Sequence, residues 1–146
     1  MEAIVEFKVN IAAILVAVVV NFILIFVWYT ALFMKSWAKE MGYDPDMRPD
    51  KKTMGKGMLL TIIGNFLFTW VLAWTMAGRQ FIPGAKEMGP LTNGLNSAFF
   101  LWLGFFVPVD LSSIIWQRKS WKLFAINGGY HFVSLLITAL ILAYWI

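Results

Sequence analysis

The sequence contains no cysteine, so disulfides, thiolate nucleophiles and cysteine-ligated metals are excluded. It contains a single histidine, His131. One imidazole cannot supply both axial ligands of a haem within a protomer, and a catalytic zinc wants about three protein ligands. No metal and no cofactor is expected. Charge is scarce too. Only 14% of the 146 residues are charged, against 60% hydrophobic, whereas globular domains carry about 25% charged residues. With a mean hydropathy of +0.73, the chain leaves no room for a water-soluble domain.

What it has instead is four apolar stretches, at 9–34, 57–77, 96–116 and 123–146. A membrane-spanning helix needs ~20 mostly apolar residues, and all four qualify. The fold class is therefore all-α: one integral membrane four-helix bundle occupying 1–146. The first stretch is too long for a signal-peptide core, and Glu2 and Glu6 spoil a basic leader, so it reads as a retained helix. Nine basic residues fall in the loops 35–56 and 117–122, and three (Lys8, Arg79 and Lys86) fall on the other side, which includes the loop 78–95. Basic loops stay in the cytoplasm, which puts both termini outside it. The net charge of +4 then reflects topology and anionic lipid headgroups rather than nucleic acid.

The sharpest feature lies in the last two stretches. Asp110 is the only carboxylate well inside an apolar segment, and His131 stands on the next one. Each is about ten residues from the turn at Ser120 and Trp121, so in antiparallel helices rising ~1.5 Å per residue they lie at one depth. An ionisable group inside a membrane is a functional candidate by default. It is also compatible with a buried pair that only holds helices together. Asn65 lies near the same depth as a neutral partner, Asn127 shares a face with His131, and Tyr29 can aim its hydroxyl towards Asp110. Trp28 and Tyr29 equally fit an interfacial aromatic belt. Asn21, near mid-membrane, should face protein.

Other patterns concern packing. Gly57, Thr61, Asn65, Thr69, Ala73 and Ala77 recur every four residues with Gly64 beside them, a ridge suited to close helix contact. Gly104 and Pro108 are four apart, which predicts a kink because proline lacks an amide hydrogen and leaves the Gly104 carbonyl without its usual partner. Gly129, with Gly128, permits close approach on the last helix. In the first loop, Met34, Trp37 and Met41 suggest a short interfacial helix ended by Gly42. Asp44, Asp46 and Asp50 lack the glycine and closing glutamate of a calcium loop and read as solvated.

The segments FVWYTALFMKSWAKEMG and LGFFVP…WKLFAINGGYHFVSLL…AYW resemble the small four-helix bacterial membrane proteins grouped as domain of unknown function 1761. Trp28, Tyr29, Leu32, Phe33, Lys35, Trp37, Met41 and Gly42 carry the first block. Gly104, Phe105, Pro108, Trp121, Lys122, Leu123, Ile126, Asn127, Gly129, Tyr130 and His131 carry the second. The likeness runs from about residue 9 to residue 145. It implies a bacterial inner membrane and four helices, and it brings no substrate.

Three function classes stay open. The first is a structural, accessory or small-ligand and lipid-binding membrane protein of unassigned activity, with membrane lipids and its own copies as partners. The second is an oligomeric proton-coupled small transporter using Asp110 and His131. The third is a membrane-embedded enzyme acting on a lipid-like substrate; Ser112, Ser113, His131 and Asp110 suggest a hydrolase only weakly, without a nucleophile elbow.

Overall fold

The computed structural model describes residues 8–145, which form helices and loops with no strand among them. Glu2, Glu6 and Ile146 lie outside the described residues. Helix α1, Ile11–Phe26, is capped by Asn10, whose side-chain oxygen accepts from the amides of Ala12 and Ala13. The same side chain donates to the carbonyl of Trp145 at 3.1 Å. The start of the first helix and the end of the last thus meet at one end of the bundle.

Beyond Phe26 the helix widens into a π turn, Val27–Leu32, which closes with the amide of Phe33 on the carbonyl of Trp28 at 2.9 Å. Helix α2, Met34–Met41, follows and stops at Gly42, whose φ of 74° gives the left-handed cap that glycine tolerates. This is the short helix expected from Trp37 and Met41.

Helix α3, Lys51–Arg79, starts six residues earlier than hydropathy suggests. Hydropathy sees only the greasy part; the start is set by Asp50, whose carboxylate accepts from the amides of Lys52 and Thr53. The Thr53 hydroxyl also donates to it, and these bonds hold its pKa below the ordinary carboxylate value. The cap is therefore fully formed above the usual carboxylate range and fades as pH falls through the depressed value.

The expected external loop, 78–95, is shorter than composition suggests. Pro90 sits in the first turn of helix α4, Gly89–Leu101, where its missing amide hydrogen costs nothing. A second π turn, Trp102–Phe106, joins α4 to helix α5, Val107–Trp116. Where the sequence predicts a kink at Gly104 and Pro108, the structure has this turn, with the amide of Val107 reaching back to the carbonyl of Trp102.

Helix α6, Trp121–Trp145, begins after a turn in which Arg118 takes a positive φ of 51°. Ser120 caps it by accepting from the Leu123 amide at 3.1 Å, and the Ser120 hydroxyl donates to the carboxylate of Glu40 on α2. Four helical stretches are long and apolar enough to cross a membrane: Ile11–Leu32, Lys51–Arg79, Lys86–Trp116 and Trp121–Trp145.

Packing is uneven along the bundle. The core comprises Ala13, Ile14 and Val18 of α1, Leu72, Ala73 and Met76 of α3, Ala98 of α4, and Leu135, Ala139 and Leu142 of α6. All lie in the half that holds the two chain ends. There α4 and α6 touch closely, and a Cβ on Gly94 would fall 2.8 Å from Leu140 Cδ2 and 3.3 Å from its Cα.

In the other half α3 diverges. Thr69, Ala73 and Ala77 of the predicted ridge are buried, but Gly57 and Gly64 are exposed and Thr61 is only half-buried. A Cβ on Gly57, Gly64 or Gly104 would meet nothing within 4 Å. Spacing alone marks a face that can pack; it does not say how far along the helix a neighbour follows it. Gly94→Val should therefore destabilise the protein in detergent by about 1–3 kcal/mol through overpacking. Gly64→Ala should be neutral or stabilising by up to about 1 kcal/mol through helix propensity. Thermal unfolding of the two variants beside wild type checks both signs.

Candidate functional site

Asp110 lies in the first half of α5, just after the π turn, and His131 lies ten residues into α6. Their side chains meet, with His131 Nδ1 2.9 Å from Asp110 Oδ2. With Asp110 ionised, the Nδ1–H donates to the carboxylate and Nε2 is left as the reactive face of the ring. The side chains are 12% exposed for Asp110 and 27% for His131. Among the described residues this is the one carboxylate–imidazole contact within the helical bundle. Gly128 lies against the pair: a Cβ there would make ordinary contact with Asp110 Oδ2 at 3.5 Å.

The rings of Phe106 and Tyr130 flank the imidazole, with centroids 4.6 and 5.6 Å away. Beside it is a cavity of about 160 Å³ lined by Asn65, Phe68, Phe106, Tyr130, His131 and Ser134. Asn65 is the middle residue of α3, and its amide nitrogen is buried with no hydrogen-bond partner. An unmet buried donor costs about 1–3 kcal/mol. Phe68 and Phe106 also line a larger apolar groove of about 430 Å³, with Leu67, Val71, Leu101 and Leu135 among its walls. The groove follows the gap between α3 and the α4–α5 helix.

The remaining candidates sit elsewhere. The Tyr29 hydroxyl donates to Asn127 Oδ1 at 2.9 Å rather than to Asp110, because Asn127 lies one turn closer to the basic loops. Trp28 donates its indole N–H to the Ile126 carbonyl at 3.0 Å. Its ring covers Gly129, where a Cβ would approach within 3.3 Å. Trp28 lines a separate groove with Phe33, Ser36 and Lys122. Pro108 is exposed. Asn65 and His131 therefore share a cavity, Asp110 holds the histidine, and Tyr29, Asn127 and Trp28 tie α1 to α6.

Nearer the chain ends, Asn21 is fully buried, as its polarity at mid-membrane demands. Its amide donates to Thr138 Oγ1 at 2.6 Å, and its oxygen accepts from Ser134 Oγ at 2.9 Å. Two contributors escaped sequence reading. Phe106 stacks on the imidazole, and Trp102 donates to the Gly128 carbonyl at 2.8 Å. An aromatic in an apolar helix carries no signal of its own; only the π turn that aims both could have revealed them. Among the described residues no three metal-ligating side chains converge.

Two measurements follow from this geometry. Asn21→Leu removes both bonds of the inner layer and should cost about 1–2 kcal/mol, a typical scale for polar contacts between membrane helices, read as earlier unfolding on titration with SDS. Nitrogen NMR of His131 should show Nδ1 carrying the proton in the neutral ring. That preference should disappear in Asp110→Leu and survive in Asn21→Leu.

No curated protein and no solved structure matches the chain. A family model aligns with residues 12–143, nearly the whole bundle. The chain belongs to the family described as Protein of unknown function (DUF1761).

Proposed function

We propose that this protein binds a small amphiphile dissolved in the membrane, holding its apolar body in the groove beside α3 and its polar group against His131 and Asn65. The carrying observation is that the cavity beside His131 and the apolar groove are neighbours that share Phe68 and Phe106 as a common wall. A neutral His131 offers the Nε2 lone pair as acceptor, and Asn65 offers a donor that no residue uses. A hydroxyl or carboxylic acid group answers both, since it donates and accepts at once. Asp110 is a positioning residue: it fixes the tautomer and does not line the cavity.

The setting we infer is a bacterial inner membrane with both termini outside the cytoplasm, supported by the nine-to-three distribution of basic residues. A homo-oligomer fits the face of α3 that carries the exposed Gly57 and Gly64. Proton-coupled transport draws support from the carboxylate–imidazole pair alone. The core around Ile14, Leu135 and Leu142 closes the bundle beyond it, so the site opens sideways rather than through.

The test uses a long-chain alcohol as probe and the ring signals of His131 as readout, in detergent micelles. Saturable shifts are expected with the alcohol and not with the matching alkane. Leu67→Trp should weaken them by filling the groove, and Asn65→Leu by removing the donor. Ring signals indifferent to the alcohol in wild type would sink the proposal and leave the pair a helix tie.

A further inference from the structure

At the opposite end of the bundle lies a second cavity, of about 210 Å³, built from three helices and the link between two of them. Arg79 ends α3, Lys86 stands in the short 3₁₀ turn before α4, Asn93 lies on α4, and Ala143 belongs to α6. Gln80 and Pro90 complete the wall, and no carboxylate lines it. Among the described residues, no ion pair engages Arg79 or Lys86. Arginine cannot shed its proton, so the cavity is permanently positive.

Two buried polar atoms here lack partners. Arg79 Nε has no acceptor, and Asn93 Oδ1 has no donor, although Asn93 Nδ2 is held by the Ala85 carbonyl at 2.8 Å. A guanidinium with an unused N–H is a fork shaped for phosphate or carboxylate oxygens. The orphan carbonyl oxygen asks for something different: a hydrogen-bond donor adjacent to that anion. Phe81, Ile82, Met88 and Leu91, near the lining residues in sequence, are exposed, as suits a segment at a membrane surface.

We propose that this cavity binds a phosphate ester that carries a neighbouring donor, as a phosphoglycerol or phosphoethanolamine headgroup does. Arg79 and Lys86 hold the phosphate, and Asn93 Oδ1 accepts from the hydroxyl or ammonium beside it. The site is independent of the amphiphile groove, which lies deeper and carries no permanent charge.

Native mass spectrometry of the full chain, released from detergent, tests this with three phospholipid probes and one soluble probe. The lipids are phosphatidylglycerol, phosphatidylethanolamine and phosphatidylcholine; the soluble probe is glycerol phosphate. One retained phosphatidylglycerol or phosphatidylethanolamine per chain is expected, with phosphatidylcholine, which lacks the donor, held less well. Arg79→Gln should weaken retention by about tenfold or more, the scale of one charge-assisted bond. Asn93→Asp, which places a carboxylate in the cavity and also gives up the bond to the Ala85 carbonyl, should weaken it as much. Exposed Lys86→Gln keeps the question answerable if either variant folds poorly, and Arg118→Gln, at the other end, should change nothing. Displacement of the lipid by glycerol phosphate supports a site for soluble phosphate esters; no displacement supports a lipid headgroup. Retention that ignores Arg79, Lys86 and Asn93, or that falls equally with Arg118→Gln, overturns the proposal.

Discussion

Inside hydrocarbon a polar side chain has no water to fall back on and must find its partner on a neighbouring helix. In this bundle nearly every such partner is supplied by α6. It receives Asn10 at its end, Asn21 through Ser134 and Thr138, Asp110 through His131, and Tyr29 through Asn127. Its carbonyls at Ile126 and Gly128 accept from Trp28 and Trp102. At Gly129 the missing side chain lets the Trp28 ring come close, since a Cβ there would stand 3.3 Å from it. One helix thus acts as the common acceptor and donor for α1 and the α4–α5 helix, and it keeps their depths in register.

Helix α3 stands outside this arrangement. Its polar groups at Asn65 and Thr69 are buried without partners, and it contacts α1 and α6 through apolar and small side chains in one half only. Stability and access are therefore separated by depth: a close-packed half beside the chain ends, and a half towards the basic loops where a wall is missing. A polar pair placed at the boundary is rigid on the α6 side and reachable on the α3 side. A binding site needs that combination, because preorganised groups lose less on capture than groups that must first be ordered.

Much of this was written in the residue order. Run length alone marks the four spans, since nothing but length and apolarity decides whether a helix can cross. The counting that set Asp110 and His131 level works because helical rise is nearly constant and the turn between them is short. Asn21 had to face protein whatever the details. The start of α3 was hidden because a cap is a local event at Asp50, outside the hydrophobic run. Pro90 looks like loop in a sequence, although a first helical turn welcomes it. The splay of α3 was hidden more deeply. Gly57, Thr61 and Gly64 look the same to a sequence reader as Thr69, Ala73 and Ala77, and only the paths of neighbouring helices separate them.

The two π turns change how residues are counted along a helix. Each closes a loop five residues back instead of four, so it absorbs one residue beyond the α repeat. Every residue of an α-helix advances the face by about 100°. Counting straight through such a turn therefore puts everything after it a quarter-turn or more out of phase. Here the surplus residue falls just where Tyr29 must meet Asn127 and where Asp110 must meet His131. In effect, an insertion of a single amino acid on each of two helices steers the polar groups of this membrane bundle onto the third.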